Sequence, residues 1–215
     1  MKTPATPAPS RREANRQSRR EAILDVAAES FLEHGYAGTT MSAIAATLGG
    51  SKGTLWSYFE SKDVLFGAVI ERVTEAFRAQ LSLILNPADG IEAALRRFCA
   101  EFLRKVTSAE AIALHRLVVG EANRFPEVGE IFYARAPQRT QRLLADFLET
   151  AMERGELRRD DALVAARQLT ALVMYGGHQQ MLMGLIDTLT PEAIQAEVDR
   201  AMATFLRAYA AEASS

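Results

Sequence analysis

Lys52, Gly53, Thr54, Trp56, Ser57 and Tyr58 follow Ser51 in one run, interrupted only by Leu55 and closed by Phe59. Read as a short helix opened by a Ser51 cap, the run turns Leu55 and Phe59 (i, i+4) to one side and the polar and small residues to the other. That outward set suits duplex nucleic acid. Lys52 reaches guanine acceptors or phosphate, and Thr54 and Ser57 can hydrogen-bond base edges or meet a thymine methyl. Gly53 lets the backbone approach closely, while Trp56 and Tyr58 offer an indole N–H and a phenol to phosphates. Core packing is the competing reading for each aromatic alone. Successive helical positions lie about 100° apart, however, so Trp56, Ser57, Tyr58 and Phe59 cannot all turn inward.

These residues need elements to position them. Thr39, Thr40 and Ser42 open a preceding helix running from Met41 to Leu48, whose free N–H groups and hydroxyls make a phosphate site. Gly49-Gly50 breaks that helix just before the run at Ser51. A short helix, a glycine turn and a second short helix form the arrangement that seats one helix in a major groove. Lys62, at the start of a helix capped by Ser61, offers a cation on the far side. Upstream, Ile23, Val26, Ala27 and Phe31 share one helical face from Ser18 onward, with Leu24 and Leu32 beside it, and Gly35 suits the left-handed position after the last turn.

Helical periodicity continues to the end. Leu65, Ala68, Val69, Val73, Ala76 and Phe77 stripe the helix after Ser61, which reaches about residue 85. Asp89 with Glu92 resembles a capping box, opening a helix through Phe98, Phe102 and Val106. A helix over about 110–123 follows, and Pro126 and Pro137 bound or split the next stretch to Arg154. Asp160 is the expected cap of a long helix to Leu185, and Thr190-Pro191-Glu192 starts the last one. No strand alternation competes, so the fold class is all-α, with about nine helices. The domain reading is a disordered basic arm over 1–15, a helix-turn-helix domain over 16–62 and a larger helical domain over 63–215. A helix over 62–85 links the two.

Composition sets the limits. Apolar residues make up 48% and charged residues 24% of the 215, ordinary for a globular chain, and no apolar run reaches the length of about 20 that a bilayer requires. One cysteine, Cys99, leaves no disulfide framework and no thiol cluster for metal, and without a secretory core the expected location is cytoplasmic. Neither a phosphate-cradling glycine loop nor a nucleophile–base constellation points to an enzyme, and no cofactor or metal is implied. The formal net charge is −2, yet residues 1–20 hold Lys2, Arg11, Arg12, Arg16, Arg19 and Arg20 against Glu13 alone. A basic end on an acidic body suits a chain that meets phosphate at one end only.

The run Phe31 to Tyr36, Thr39-Thr40-Met41, Ile44-Ala45, Ser51 to Phe59, then Ser61-Lys62 and Leu65 resembles the TetR/AcrR family of transcription regulators over about residues 18–77. The resemblance implies a homodimer with an N-terminal helix-turn-helix domain for a double-stranded DNA operator and a C-terminal domain for a small-molecule inducer. Gly50 stands where the family usually has an aliphatic anchor, which implies a looser turn. Trp56 stands where tyrosine is usual, which replaces a phenol contact with an indole one. By the same resemblance, helices over about 160–185 and 190–212 would pair with their twins, with Leu172, Leu185, Val198, Met202 and Phe205 buried between them. A two-fold dimer sets recognition helices about 34–36 Å apart and implies a palindromic operator.

The expected ligand pocket draws on Phe98, Phe102, His115, Tyr133, Met174, Tyr175, His178 and Met181, since methionine and aromatic side chains adapt to irregular apolar molecules. Gly176-Gly177 inside a helical stretch signals close helix approach or cavity space. The functional expectation is a ligand-responsive regulator, more simply a repressor. The alternative is a constitutive architectural DNA binder, which would need no pocket and would show slight sequence preference.

Overall fold

The computed structural model describes residues 10–49, 52–86 and 90–211, Lys52 through its backbone. Residues 1–9 of the arm, Gly50, Ser51, the Lys52 side chain, Pro87, Asp89 with its capping box, and residue 212 therefore lie outside the described residues. Eleven helices and no strand are found among the described residues: α1 (Arg11–Gly38), α2 (Met41–Thr47), α3 (Lys52–Trp56), α4 (Lys62–Ile84), α5 (Ile91–Val106), α6 (Ala109–Glu121), α7 (Pro126–Arg135), α8 (Pro137–Glu153), α9 (Ala162–Met174), α10 (Gly177–Leu182) and α11 (Pro191–Tyr209). Two splits raise the count above the expected nine. Pro137 starts α8 directly after α7, and the stretch read as one helix to Leu185 breaks at Tyr175–Gly176.

Chain contacts divide the protein into two compact units, 1–69 and 70–215, with the boundary inside α4 rather than at residue 62. In the first unit α1 begins at Arg11, so residues 10–15, read from sequence as part of a disordered arm, are its cap and first turn. The Ser10 side chain accepts from the Glu13 N–H while the Glu13 carboxylate accepts from the Ser10 N–H. This reciprocal cap, followed by good helix formers, stabilises a turn that composition alone does not reveal. Gly35 interrupts α1 at φ 74°, a backbone region open to glycine at little cost. Phe31, Tyr36 and Phe66 pack ring against ring at centroid distances of 5.1–5.8 Å, and Ile23, Leu24, Ala27, Ile44, Leu55, Phe59 and Leu65 complete the buried set.

The second unit packs α5, α8, α9 and α11 around a core that includes Leu95, Phe98, Leu144, Leu148, Leu169, Val198, Met202 and Phe205. This corrects the dimer expectation for three residues. Val198, Met202 and Phe205 are fully buried inside their own subunit and have no surface left for a partner. The cap of α9 is Asp161, not Asp160: its Oδ1 accepts from the N–H groups of Leu163 and Val164. Thr190 caps α11 as expected, accepting from Ala193 N–H at 3.2 Å. The two glycines at the α9–α10 break face α11 and the loop before it. A Cβ on Gly176 would run into the Glu197 carboxylate and one on Gly177 into the Leu189 side chain.

Candidate DNA-binding and effector sites

Thr40 caps α2 through its hydroxyl, which accepts from Ala43 N–H at 3.1 Å, and Ser42 sits exposed in the first turn. The α2 helix ends on Leu48 and Gly49, the latter at φ 63°. The carbonyl of Leu48 accepts from the Arg19 guanidinium at 3.3 Å. Helix α3 is a single five-residue piece, but its hydrogen bonding continues as Ser57 N–H to the Gly53 carbonyl and Phe59 N–H to the Leu55 carbonyl. Leu55 and Phe59 are buried, while Gly53, Thr54, Trp56 and Ser57 are exposed, with 43% of the Trp56 surface open. Tyr58 is half-buried beneath the Arg16 guanidinium, 5.9 Å from the ring centre, and Arg20 lies 5.4 Å from the Phe59 ring.

Two expected phosphate contacts are otherwise engaged. Thr39 is 1% exposed, and its hydroxyl lies 2.8 Å from the Gly35 carbonyl, 2.9 Å from that of Ser30 and 3.2 Å from the Ser30 hydroxyl. It closes the α1 break rather than facing outward. Lys62 donates to the Tyr36 carbonyl at 2.8 Å and lies 4.0 Å from the centre of the Tyr36 ring. The fold holds that ammonium because the broken end of α1 presents a carbonyl and an aromatic face side by side, a juxtaposition no local spacing announces. Conversely, counting Arg16, Arg19 and Arg20 only as part of a basic end that meets phosphate missed them as residues that brace the reading head. Their i, i+3 and i+4 spacing was the available signal.

The expected ligand residues separate into three groups. Phe98 and Phe102 stack at 5.8 Å within the core of the second unit, and Met174 packs on that core. Tyr133 and Tyr175 are exposed, Tyr175 with 76% of its surface open. His115 and His178 do converge, the imidazole centres 5.4 Å apart and His115 a further 5.8 Å from the Phe132 ring, and Met181 is buried on α10 with His178. Burial pushes the His178 pKa down to about 4, helped by repulsion from His115, and burial lowers His115 as well. A separate cleft of about 560 Å³ opens beside α8, lined by charged groups including Arg142, Asp146, Glu149, Arg159 and Asp161, and none of the expected ligand residues borders it. Among the described residues, no cluster of three or more His, Cys, Asp or Glu could hold a metal ion.

Sequence reasoning also missed a charge cluster in the second unit. Glu71 Oε1 accepts from Arg78 at 2.6 Å and from Arg139, and Arg135 stands 3.6 Å from Oε2. Burial alone would raise the Glu71 pKa, but the Arg78 hydrogen bond and the three guanidinium charges outweigh it and lower the value. No spacing in the sequence links α4 to Arg135 and Arg139.

A profile described as "Bacterial regulatory proteins, tetR family" matches residues 23–69, spanning α2, α3 and their supports. A second, "AefR-like transcriptional repressor, C-terminal domain", matches residues 93–211, more than half the chain. The chain belongs to the TetR family of transcription regulators. Its members are DNA-binding regulators rather than enzymes, for which dimerisation and ligand binding are typical. The structure of the flavonoid-responsive regulator FrrA superposes on this TetR-family chain with a TM-score of 0.82, at 34% identity over 92% of this chain and all of FrrA. The transcriptional repressor ComR of Escherichia coli is 28% identical over 141 residues, 64% of this chain and 67% of ComR. The regulator YhgD of Bacillus subtilis is 23% identical over 156 residues, 73% of this chain and 78% of YhgD. Among the described residues no helix of this TetR-family regulator is long and apolar enough to cross a membrane.

Proposed function

We propose that the protein is a homodimeric repressor, acting in the cytoplasm, that binds a palindromic operator through the outward face of α3 and lets go when a small amphipathic or aromatic molecule enters the second unit. The observation that carries the DNA-binding half is the sorting of side chains along α3. Leu55 and Phe59 anchor the helix, and Gly53, Thr54, Trp56 and Ser57 remain at the surface. Thr40, Ser42 and Tyr58 flank that face as candidate phosphate contacts, joined by Ser51 and Lys52 from the sequence. The similarity to FrrA supports an aromatic effector.

For dimerisation, the exposed apolar residues at the α9–α10 end are the candidates: Tyr175, Met183 and Leu185, together with the half-buried Leu172. Release is a population shift. Moving the DNA-competent state from 99:1 to 1:99 needs about 5.5 kcal/mol of differential effector affinity. Footprinting on sites selected from genomic DNA tests the proposal. A repressor of this kind protects two half-sites about one helical turn apart and prefers them roughly 10³-fold over random duplex. Even, sequence-indifferent protection would instead mark an architectural binder.

A further inference from the structure

The break between α9 and α10 has a chemical consequence on its inner side. Gly176 leaves the helical path at φ −91°, ψ −98°, and α10 restarts at Gly177, which brings His178 inward to 3% exposure. There it meets His115 of α6, which in turn faces Phe132 of α7, so three rings from three helices form one wall. Arg116 donates to the carbonyls of Met181 and Leu182 and ties α6 to the far end of α10.

Buried polar groups are ordinarily satisfied, and a neutral imidazole brings one N–H and one lone pair. Among the described residues, no protein group hydrogen-bonds the ring nitrogens of His115 or His178. Nor are those nitrogens sealed off: the enclosed, unpartnered side-chain atoms among the described residues are Glu71 Oε2 and Gln141 Oε1. His178 is thus buried and His115 half-buried, and neither ring is spent on a protein partner.

We infer that His115 and His178 are the polar anchor of the effector site, and that the effector they take is a small aromatic molecule with a free phenolic hydroxyl. This rests on reading the second unit as the effector-binding one. A phenol gives its O–H to the lone pair of one neutral imidazole and accepts the N–H of the other, satisfying both, while its ring lies against Phe132. A carboxylate would need a charged donor, and the adjacent Arg116 is engaged with backbone carbonyls. A metal would need a third ligand, and the described residues supply no such trio.

The test uses the full chain with 7-hydroxyflavone and its methyl ether, 7-methoxyflavone, followed by calorimetry and by imidazole NMR, with operator release measured in parallel. The wild-type protein binds the phenol at least about tenfold more tightly than the ether, the loss expected when a buried acceptor goes unpaired. Signals of His115 and His178 shift on binding while that of His34 stays. His115→Phe and His178→Phe weaken the phenol about tenfold and narrow its preference over the ether. Equal affinity for the two probes, no binding of either, or unmoved His115 and His178 signals overturns the inference, and the comparison of probes holds even if the His178 variant fails to fold. A phenol that binds through the pair without releasing operator would instead contradict the regulatory reading and leave this site standing.

Discussion

The Lys62 ammonium sits 4.0 Å from the centre of the Tyr36 ring and donates to the carbonyl of the same residue at 2.8 Å. Tyr36 in turn donates its hydroxyl to Asp63, so the entry of α4 and the end of α1 are closed on one another by three polar contacts. Lys62 is a brace of the reading head. Replacing it with alanine should cost about 1–2 kcal/mol of stability in the first unit, the sum of a half-buried cation–π contact and a charge-assisted hydrogen bond. Urea denaturation reads that loss. The slope of log Kd against log salt should stay at the wild-type value, whereas a phosphate contact would lower it by about one.

Glu71 holds three guanidiniums, and among the described residues no other carboxylate pairs with them. Glu71→Gln should therefore destabilise the chain more than any single arginine-to-alanine change at Arg135 or Arg139, because it strands several positive charges at once. Its folded pKa is lowered, so the stability it contributes is present above about pH 4.5 and declines as pH falls below that value. In the Gln variant, the acid limb of a pH–stability curve should flatten.

His178 acts in a higher window. Its pKa falls from 6.5 in the unfolded chain to about 4 when folded, so the unfolded state takes up the proton first. Stability is complete above pH 6.5, is lost as pH drops through the interval down to about 4, and then levels. The total is at most about 3 kcal/mol. Denaturation at pH 7.5 and pH 4.5 should show this difference in wild type and a smaller one in His178→Phe.

Leu185 is 69% exposed, Met183 beside it is exposed, and so is Tyr175 at the other end of α10. Side chains of that size left in water before and after α10 fit a face that a second copy covers. Leu185→Glu should convert a dimer to a monomer in analytical ultracentrifugation and lower operator affinity with it. A variant that remains dimeric would place the interface elsewhere.

Most of the fold was legible because its signals are local. The Thr40, Ser61 and Thr190 caps, the Gly35 stop and the burial of Leu55 with Phe59 all depend on neighbours within about one turn, which sequence spacing records. What escaped depends on distant partners. Val198, Met202 and Phe205 form an apolar stripe whether it faces its own core or a twin, and periodicity does not distinguish the two. Thr39 and Lys62 have polar ends that duplex DNA could use, but the broken end of α1 engages them first. Tyr175 and His178, three residues apart, would share a helix face had Gly176 not redirected the chain.

The proposed DNA contact lies on the outward side of α3, and Trp56→Ala with Thr54→Ala tests it most directly. Affinity for a duplex selected from genomic DNA should fall at least about tenfold for each variant, with half-site preference relaxed and the helical fold retained by circular dichroism. Wild-type affinity and wild-type sequence preference in both variants would contradict it.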